Sequence, residues 1–226
     1  LERLEKYFDN LKPQTGYGSL RFAKLLTSAN EPQKGRDIIL ASWLRHSFSS
    51  SDFKELQDIF GSFLRPHNAE RLQNLLWDGR VDDSEQMLSL VDTDTERLSE
   101  IRIRLQRASS GVDALISSLP ENLKDDPGLA FDRLSFRREK GLYDSAEDFL
   151  LAYSMGTPIL GRPEKWAEAR QVYARRALRN GDPGKAYLIA SNHFINYRTG
   201  KELSRLCDLE WLSGFISLIY LERPEQ

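Results

Sequence analysis

Residues 181–220 read GDPGKAYLIASNHFINYRTGKELSRLCDLEWLSGFISLIY. Asp182 stands where an N-cap side chain would accept a backbone N–H. Pro183 follows at the first helical position, where its missing N–H costs nothing. Thr199 and Glu202 have the spacing of a capping box and open a second helix. In that helix Leu209, Leu212, Ile216 and Ile219 form one apolar stripe, and Leu203, Cys207, Trp211 and Leu218 form another. A narrow strip of Glu210, Ser213, Gly214 and Ser217 lies between them. One stripe marks a helix lying on a core; two stripes predict a helix held between neighbours. Small residues at 213 and 214 would let one neighbour come close. The pattern is that expected inside a stacked array of helical pairs, and it requires both Trp211 and Ile216 to be covered.

Helical spacing extends outward from this stretch over nearly the whole chain, and no run alternates as a strand would. Asp52/Glu55, Asp82/Glu85, Thr93/Glu96 and Asp144/Glu147 repeat the capping-box spacing of Thr199/Glu202. Gly79, Gly141 and Gly181 each stand just past a periodic run, where a helix C-terminus favours glycine. The spacing predicts helices over about 2–10, 19–29, 32–46, 53–64, 68–78, 83–90, 94–107, 111–118, 127–140, 144–153 and 163–179, followed by the pair in 181–220. Gly16 and Gly18 are expected to break the chain. Leu56, Ile59, Phe60 and Phe63 are expected to face inward. Each of Gly79, Gly141 and Gly181 precedes a small residue by five positions, namely Ser84, Ala146 and Ala186. That echo resembles a tetratricopeptide helix pair without a fixed period. The expected fold is all-α, an irregular α-solenoid or superhelix of antiparallel hairpins, with a compact helical bundle as the alternative. It is read as a single domain over 1–226 with a soft break near 154–163, where Gly156, Pro158, Gly161 and Pro163 make the longest irregular link.

Composition narrows the function. The 226 residues carry 32 basic and 34 acidic side chains, a net charge of −2, which argues against a nucleic-acid binder held by bulk charge. The most apolar segment, 211–220, is about half the length of a membrane span and is interrupted by Ser213, Gly214 and Ser217. The chain starts at Leu1, so it is read as a processed or excised piece. Cys207, the single cysteine, lies on an apolar stripe and is expected to be buried.

Little in the residues points to catalysis. His46, His67 and His193 lie far apart, and none has a second histidine or cysteine at helical spacing, so no metal site is expected. Gly-x-x-x-x-Gly-Lys and Gly-x-Ser-x-Gly are absent, and no cofactor is implied. Most carboxylates sit at helix starts, where the dipole favours negative charge. Glu210 is the exception; on the small polar strip of the last helix it is expected to pair with an arginine. One charge asymmetry stands out. Arg162, Lys165, Arg170, Arg175, Arg176 and Arg179 share a segment with only Glu164 and Glu168, and Arg133, Arg137, Arg138 and Lys140 load an earlier one. The plain reading is a solvated face with salt bridges between helices. The sharper one is a basic lining that attracts an anionic polymer, carried by Arg170, Arg175, Arg176 and Arg179.

Several stretches resemble the soluble lytic transglycosylases of bacteria, in their alphaproteobacterial form. They are Leu-Leu-Trp-Asp-Gly-Arg at 75–80, Asp-Asp-Pro-Gly-Leu-Ala-Phe-Asp-Arg at 125–133 and Ala-Arg-Arg-Ala-Leu at 174–178. Ala-Tyr-Leu-Ile-Ala-Ser-Asn-His at 186–193 and Asp-Leu-Glu-Trp-Leu-Ser-Gly-Phe-Ile at 208–216 complete the set. The likeness, from about Tyr17 onward, is to the helical superhelix that precedes the catalytic domain. It implies a periplasmic enzyme that cleaves the glycan strands of peptidoglycan to a 1,6-anhydro-muramic product, using one glutamate of a Glu-Ser pair in a lysozyme-like domain. No Glu is followed by Ser here. No catalytic residue carries over, and the sequence is expected to stop inside the superhelix. The role implied is a non-catalytic scaffold that guides glycan strands. A helical-repeat adaptor that binds a protein partner is the alternative.

Overall fold

The computed structural model describes residues 13–156, 158–196 and 200–223. The helix expected at 2–10 and the capping box at Thr199 and Glu202 lie outside the described residues or side chains. About 75% of the structure is helical, and no strand occurs among the described residues. The helices are α1 Gly16–Ser28, α2 Pro32–Trp43, α3 Ser50–Leu64, α4 Asn68–Trp77, α5 Val81–Glu85, α6 Thr93–Gln106, α7 Val112–Ser117, α8 Glu121–Lys124, α9 Pro127–Glu139, α10 Tyr143–Ala152, α11 Pro163–Arg179, α12 Pro183–Ser191 and α13 Gly200–Tyr220. Single 3₁₀ turns at Arg65–His67 and Leu88–Leu90 join α3 to α4 and follow α5.

Chain contacts divide the protein into two compact units, Leu1–Arg104 and Leu105–Gln226, so the division falls within α6 and residues 154–163 lie inside the second unit. Trp43, Ile39, Leu56, Leu64 and Leu72 are fully buried in the core of the first. Trp166, Tyr173, Leu134, Leu150, Ile189 and Ile216 centre the core of the second.

Three helix–helix turns share one construction. Gly79, Gly141 and Gly181 have φ of 71°, 71° and 80°, the left-handed region that glycine enters without a Cβ penalty. In each, the glycine N–H reaches back to a carbonyl three residues earlier: Gly79 to Leu76, Gly141 to Arg138, Gly181 to Leu178. The next N–H reaches back five residues: Arg80 to Leu75, Leu142 to Arg137 and Asp182 to Ala177, at 2.9–3.0 Å. These paired bonds satisfy the orphan carbonyls of the finished helix. Five residues after each glycine, Ser84, Ala146 and Ala186 are all 0% exposed, so the small side chain sets the close approach of the two helices. No heavy atom lies within 4 Å of a Cβ built on Gly181, so substitution there would be resisted by backbone strain alone. Gly181→Ala should therefore cost about 1–2 kcal/mol in urea denaturation.

The acidic spacing marks these helix starts to within three residues, Ser50, Val81, Thr93 and Tyr143, but not the capping residue. Ser49, three residues before Asp52, accepts the Asp52 N–H at 3.1 Å. Asp92, before Thr93, accepts the N–H groups of Asp94 and Thr95, and the Thr95 N–H holds its carboxyl below the usual range. α5 and α10 have no side-chain cap; their Asp82 and Asp144 sit in the first turn. Asp182 does cap α12, accepting the Lys185 N–H at 2.9 Å, with Pro183 next. Gly16 and Gly18 do not break the chain but open α1 behind a Thr15 cap. Gly16 is there for room: a Cβ would lie 2.2 Å from the Ser47 carbonyl oxygen. Ile59 is 45% exposed, outside the stripe assigned to it.

The last helix departs most from expectation. Leu209, Leu212, Ser213, Ile216 and Ser217 face the core of the second unit, whereas Trp211 is 65% exposed. Leu203, Cys207 and Leu218 of the same stripe are also exposed, and so is Ile219 at the end of the first stripe. The second stripe is therefore bare in this chain, and the predicted burial of the thiol is corrected with it. α13 packs on α11 and α12 through one face only.

Candidate functional site

The arginines of α11 have separate fates, set by helical phase. Trp166, Ala169, Tyr173 and Ala177 recur at three and four and are buried. Arg170 shares that face and is 0% exposed, so its assignment to a solvent-facing basic lining is wrong. Its guanidinium donates to the carbonyl oxygens of Ile189 and Tyr153, both at 3.0 Å, and to Ser154 Oγ at 2.6 Å. It also lies 5.8 Å from the centroid of the Phe194 ring. Burial lowers its pKa to about 10, and its contacts are carbonyls and a hydroxyl rather than a carboxylate. It closes off the C-terminal ends of α10 and α12.

Arg176 is half-committed. It donates to Glu147 Oε2 and Asp144 Oδ1, both at 2.6 Å, and these two carboxylates raise its pKa. Glu147, itself buried, also takes Lys185 at 3.3 Å. Arg175 and Arg179 are exposed. Arg138 pairs with Glu168 at 3.2 Å. In the earlier basic segment, Arg133 and Arg137 lie over the Phe149 ring, and Lys140 over Phe136. Much of the charge asymmetry is thus spent on ion pairs and aromatic faces within the second unit.

What remains is a groove of about 570 Å³ among α9, α10 and α11. Arg138, Arg176 and Arg179 line it with Glu139, Tyr143, Val172 and Tyr173. Tyr143 is 56% exposed and offers a ring face beside the ion pairs. The groove thus joins an apolar surface, Val172 and the Tyr143 ring, to charged groups at its edge that can fix the orientation of a ligand. Two of the four arginines singled out in the sequence reach this groove; Arg170 and Arg175 do not line it. Tyr143 and Val172 were missed. The available signal was a large aromatic directly after the Gly141 turn, at a position the other two turns fill with Val81 and Pro183.

Glu210 pairs with a histidine, not the arginine expected. His193, 6% exposed, accepts the Ile195 N–H on Nδ1 at 2.9 Å, so Nε2 carries the proton and donates to Glu210 at 3.0 Å. The pair ties the end of α12 to α13. His46 meets Ser42 Oγ at 3.1 Å, and burial, then Arg80, Arg45 and Arg71, lower its pKa. His67 lies 3.8 Å from Glu70. Among the described residues no three His, Cys, Asp or Glu side chains converge as a metal site would require, and no helix is long and apolar enough to cross a membrane. No protein-family model, curated protein or solved structure matches the chain.

Proposed function

We propose that this chain is the non-catalytic, α-superhelical scaffold of a periplasmic peptidoglycan lytic transglycosylase, holding glycan strands for cleavage by a catalytic domain outside this sequence. The observation that supports this reading is the helix–glycine–helix turn built three times, at 79–84, 141–146 and 181–186, with the same bonds and the same buried small residue. Helix pairs of this kind are the repeating unit of stacked helical proteins, the architecture that the resemblance implies. Two of the three turns fall within or beside the stretches that resemble the family. The groove beside Tyr143 would take a pyranose ring on the aromatic face, with Arg179 free to meet a carboxylate.

Co-sedimentation of the whole chain with purified peptidoglycan sacculi tests the reading. Arg175→Glu with Arg179→Glu is the useful variant, because both residues are exposed and neither is needed by the core. Binding should fall about tenfold at ordinary ionic strength, an effect that salt should mimic. Equal sedimentation of the parent chain and the variant, or none by either, would discard the proposal. The isolated chain should release no muropeptide.

One feature favours the alternative, a helical-repeat adaptor for a protein partner: the bare face of α13 with Trp211, Leu218 and Ile219, all more than half exposed. Apolar surface of that extent is characteristic of interaction sites. A partner lost with Leu218→Glu, in a chain that ignores sacculi, would decide for it.

A further inference from the structure

In the first unit, Gln57 and Asn68 are among the side chains that hold a buried atom with no hydrogen-bond partner, and both residues line one cleft. Asn68, at the start of α4, is 4% exposed. Its Nδ2 donates to the Leu90 carbonyl at 3.1 Å, which fixes the amide and leaves Oδ1 without a donor. Gln57, on α3, has a buried Nε2 without an acceptor. Native proteins leave few such groups, and each calls for an explanation. The cleft they share has a volume of about 430 Å³ and runs between the second half of α3, the turn at Arg65–His67 and the turn at Leu88–Leu90. Gly61 shapes one wall: a Cβ there would stand 2.9 Å from Gln57 Oε1, so the glutamine lies against bare backbone. Arg65 also lines the cleft, and its guanidinium is exposed with no partner among the described residues.

We propose that this cleft binds the C-terminus of a short peptide, its last amide satisfying Gln57 and Asn68 and its terminal carboxylate meeting Arg65. The orphan donor needs an acceptor and the orphan acceptor needs a donor. A peptide group supplies both, one bond apart. The guanidinium calls for a carboxylate, which it can take in a two-bonded fork. A simple anion fits poorly, because Asn68 Oδ1 would face it with a second negative dipole. A neutral sugar leaves the guanidinium unused. Leu90 and Val91 give the cleft an apolar strip for a small side chain. The site lies in a different unit from the Tyr143 groove, and the proposal stands or falls independently of the glycan reading.

The test is a titration of the 226-residue chain with N-acetyl-Ala-Ala, followed by amide chemical shifts and calorimetry. Saturable binding with a Kd on the order of 1 mM is expected, with shifts at Gly61 and Asn68. The amidated probe, N-acetyl-Ala-Ala-NH₂, should bind about tenfold more weakly, and Arg65→Ala should bind the two probes alike. Gln57→Leu should weaken binding by a similar factor while Tm stays level or rises, because an orphan buried donor has been removed. A structural role for Gln57 would lower Tm instead. The proposal is overturned by any of three results: no shifts at Gly61 or Asn68 with the probe tenfold above that Kd, acetate binding as well as the dipeptide, or affinity indifferent to both substitutions.

Discussion

Arg170→Met should destabilise the 105–226 unit by about 2–5 kcal/mol, although it removes a buried charge from an apolar core. The two opposing effects can be compared. The fall of its pKa to about 10 corresponds to a desolvation cost on the order of 3 kcal/mol, borne by the folded state. Against it stand three hydrogen bonds from a charged donor, at roughly 1.5–3 kcal/mol each. The bonds win. Methionine fills much of the volume but leaves the Tyr153 and Ile189 carbonyls at two helix ends without their donor. The sign with pH also follows. Below about pH 10 the guanidinium is protonated in both folded and unfolded chains, so the loss should be constant from acid to mildly alkaline solution. Urea denaturation across that range checks this, with hydrogen exchange at the ends of α10 and α12 as the local measure. A variant as stable as the parent would mean that the carbonyls find water instead.

Trp43→Ala should cost the first unit about 3–5 kcal/mol. The ring is 0% exposed, tilted against Phe48 and Phe53 at 6.0 and 5.7 Å, and has the Arg71 guanidinium 4.1 Å from its centroid. Arg71 is itself buried, donates to the carbonyl oxygens of Trp43 and His46, and has its pKa lowered to about 10 by burial. The alanine leaves a cavity under that charge. The two residues should therefore couple: the double variant with Arg71→Met should be less damaged than the sum of the single losses, by about 0.5–3 kcal/mol. Additive losses would show that the stacking contributes little.

Arg71 and Arg170 also mark where the sequence stopped being legible. Helix ends were readable because Gly79, Gly141 and Gly181 each do a job no other residue does as cheaply, and the job shows in residue type alone. The small residue five positions on was readable for the same reason. The all-helical class followed from spacing, and Asp182 with Pro183 gave an N-terminus correct to the residue. Caps elsewhere are ambiguous because an acidic residue favours both the cap and the first turn; Asp52, Asp82 and Asp144 have the spacing of the one and serve in the other. An arginine looks the same in a sequence whether it faces water or closes two helices, so Arg170 was grouped with Arg175 and Arg179. Its phase with Trp166, Ala169 and Tyr173 was the available clue. Gly16 was read as a breaker because its true constraint, the Ser47 carbonyl, comes from another part of the chain. The two-sided stripe of α13 was visible, but a stripe states only that a surface is apolar; it does not say whether a neighbour covers it.

Of the four tryptophans, Trp43, Trp77 and Trp166 are shielded and Trp211 stands in solvent, its ring stacked on Phe215. Long-wavelength emission from the native protein therefore belongs to one indole, on the bare side of α13. Iodide quenching of that component, or a blue shift, would register whatever settles there without any label being attached. The folded chain carries its own optical gauge of that surface.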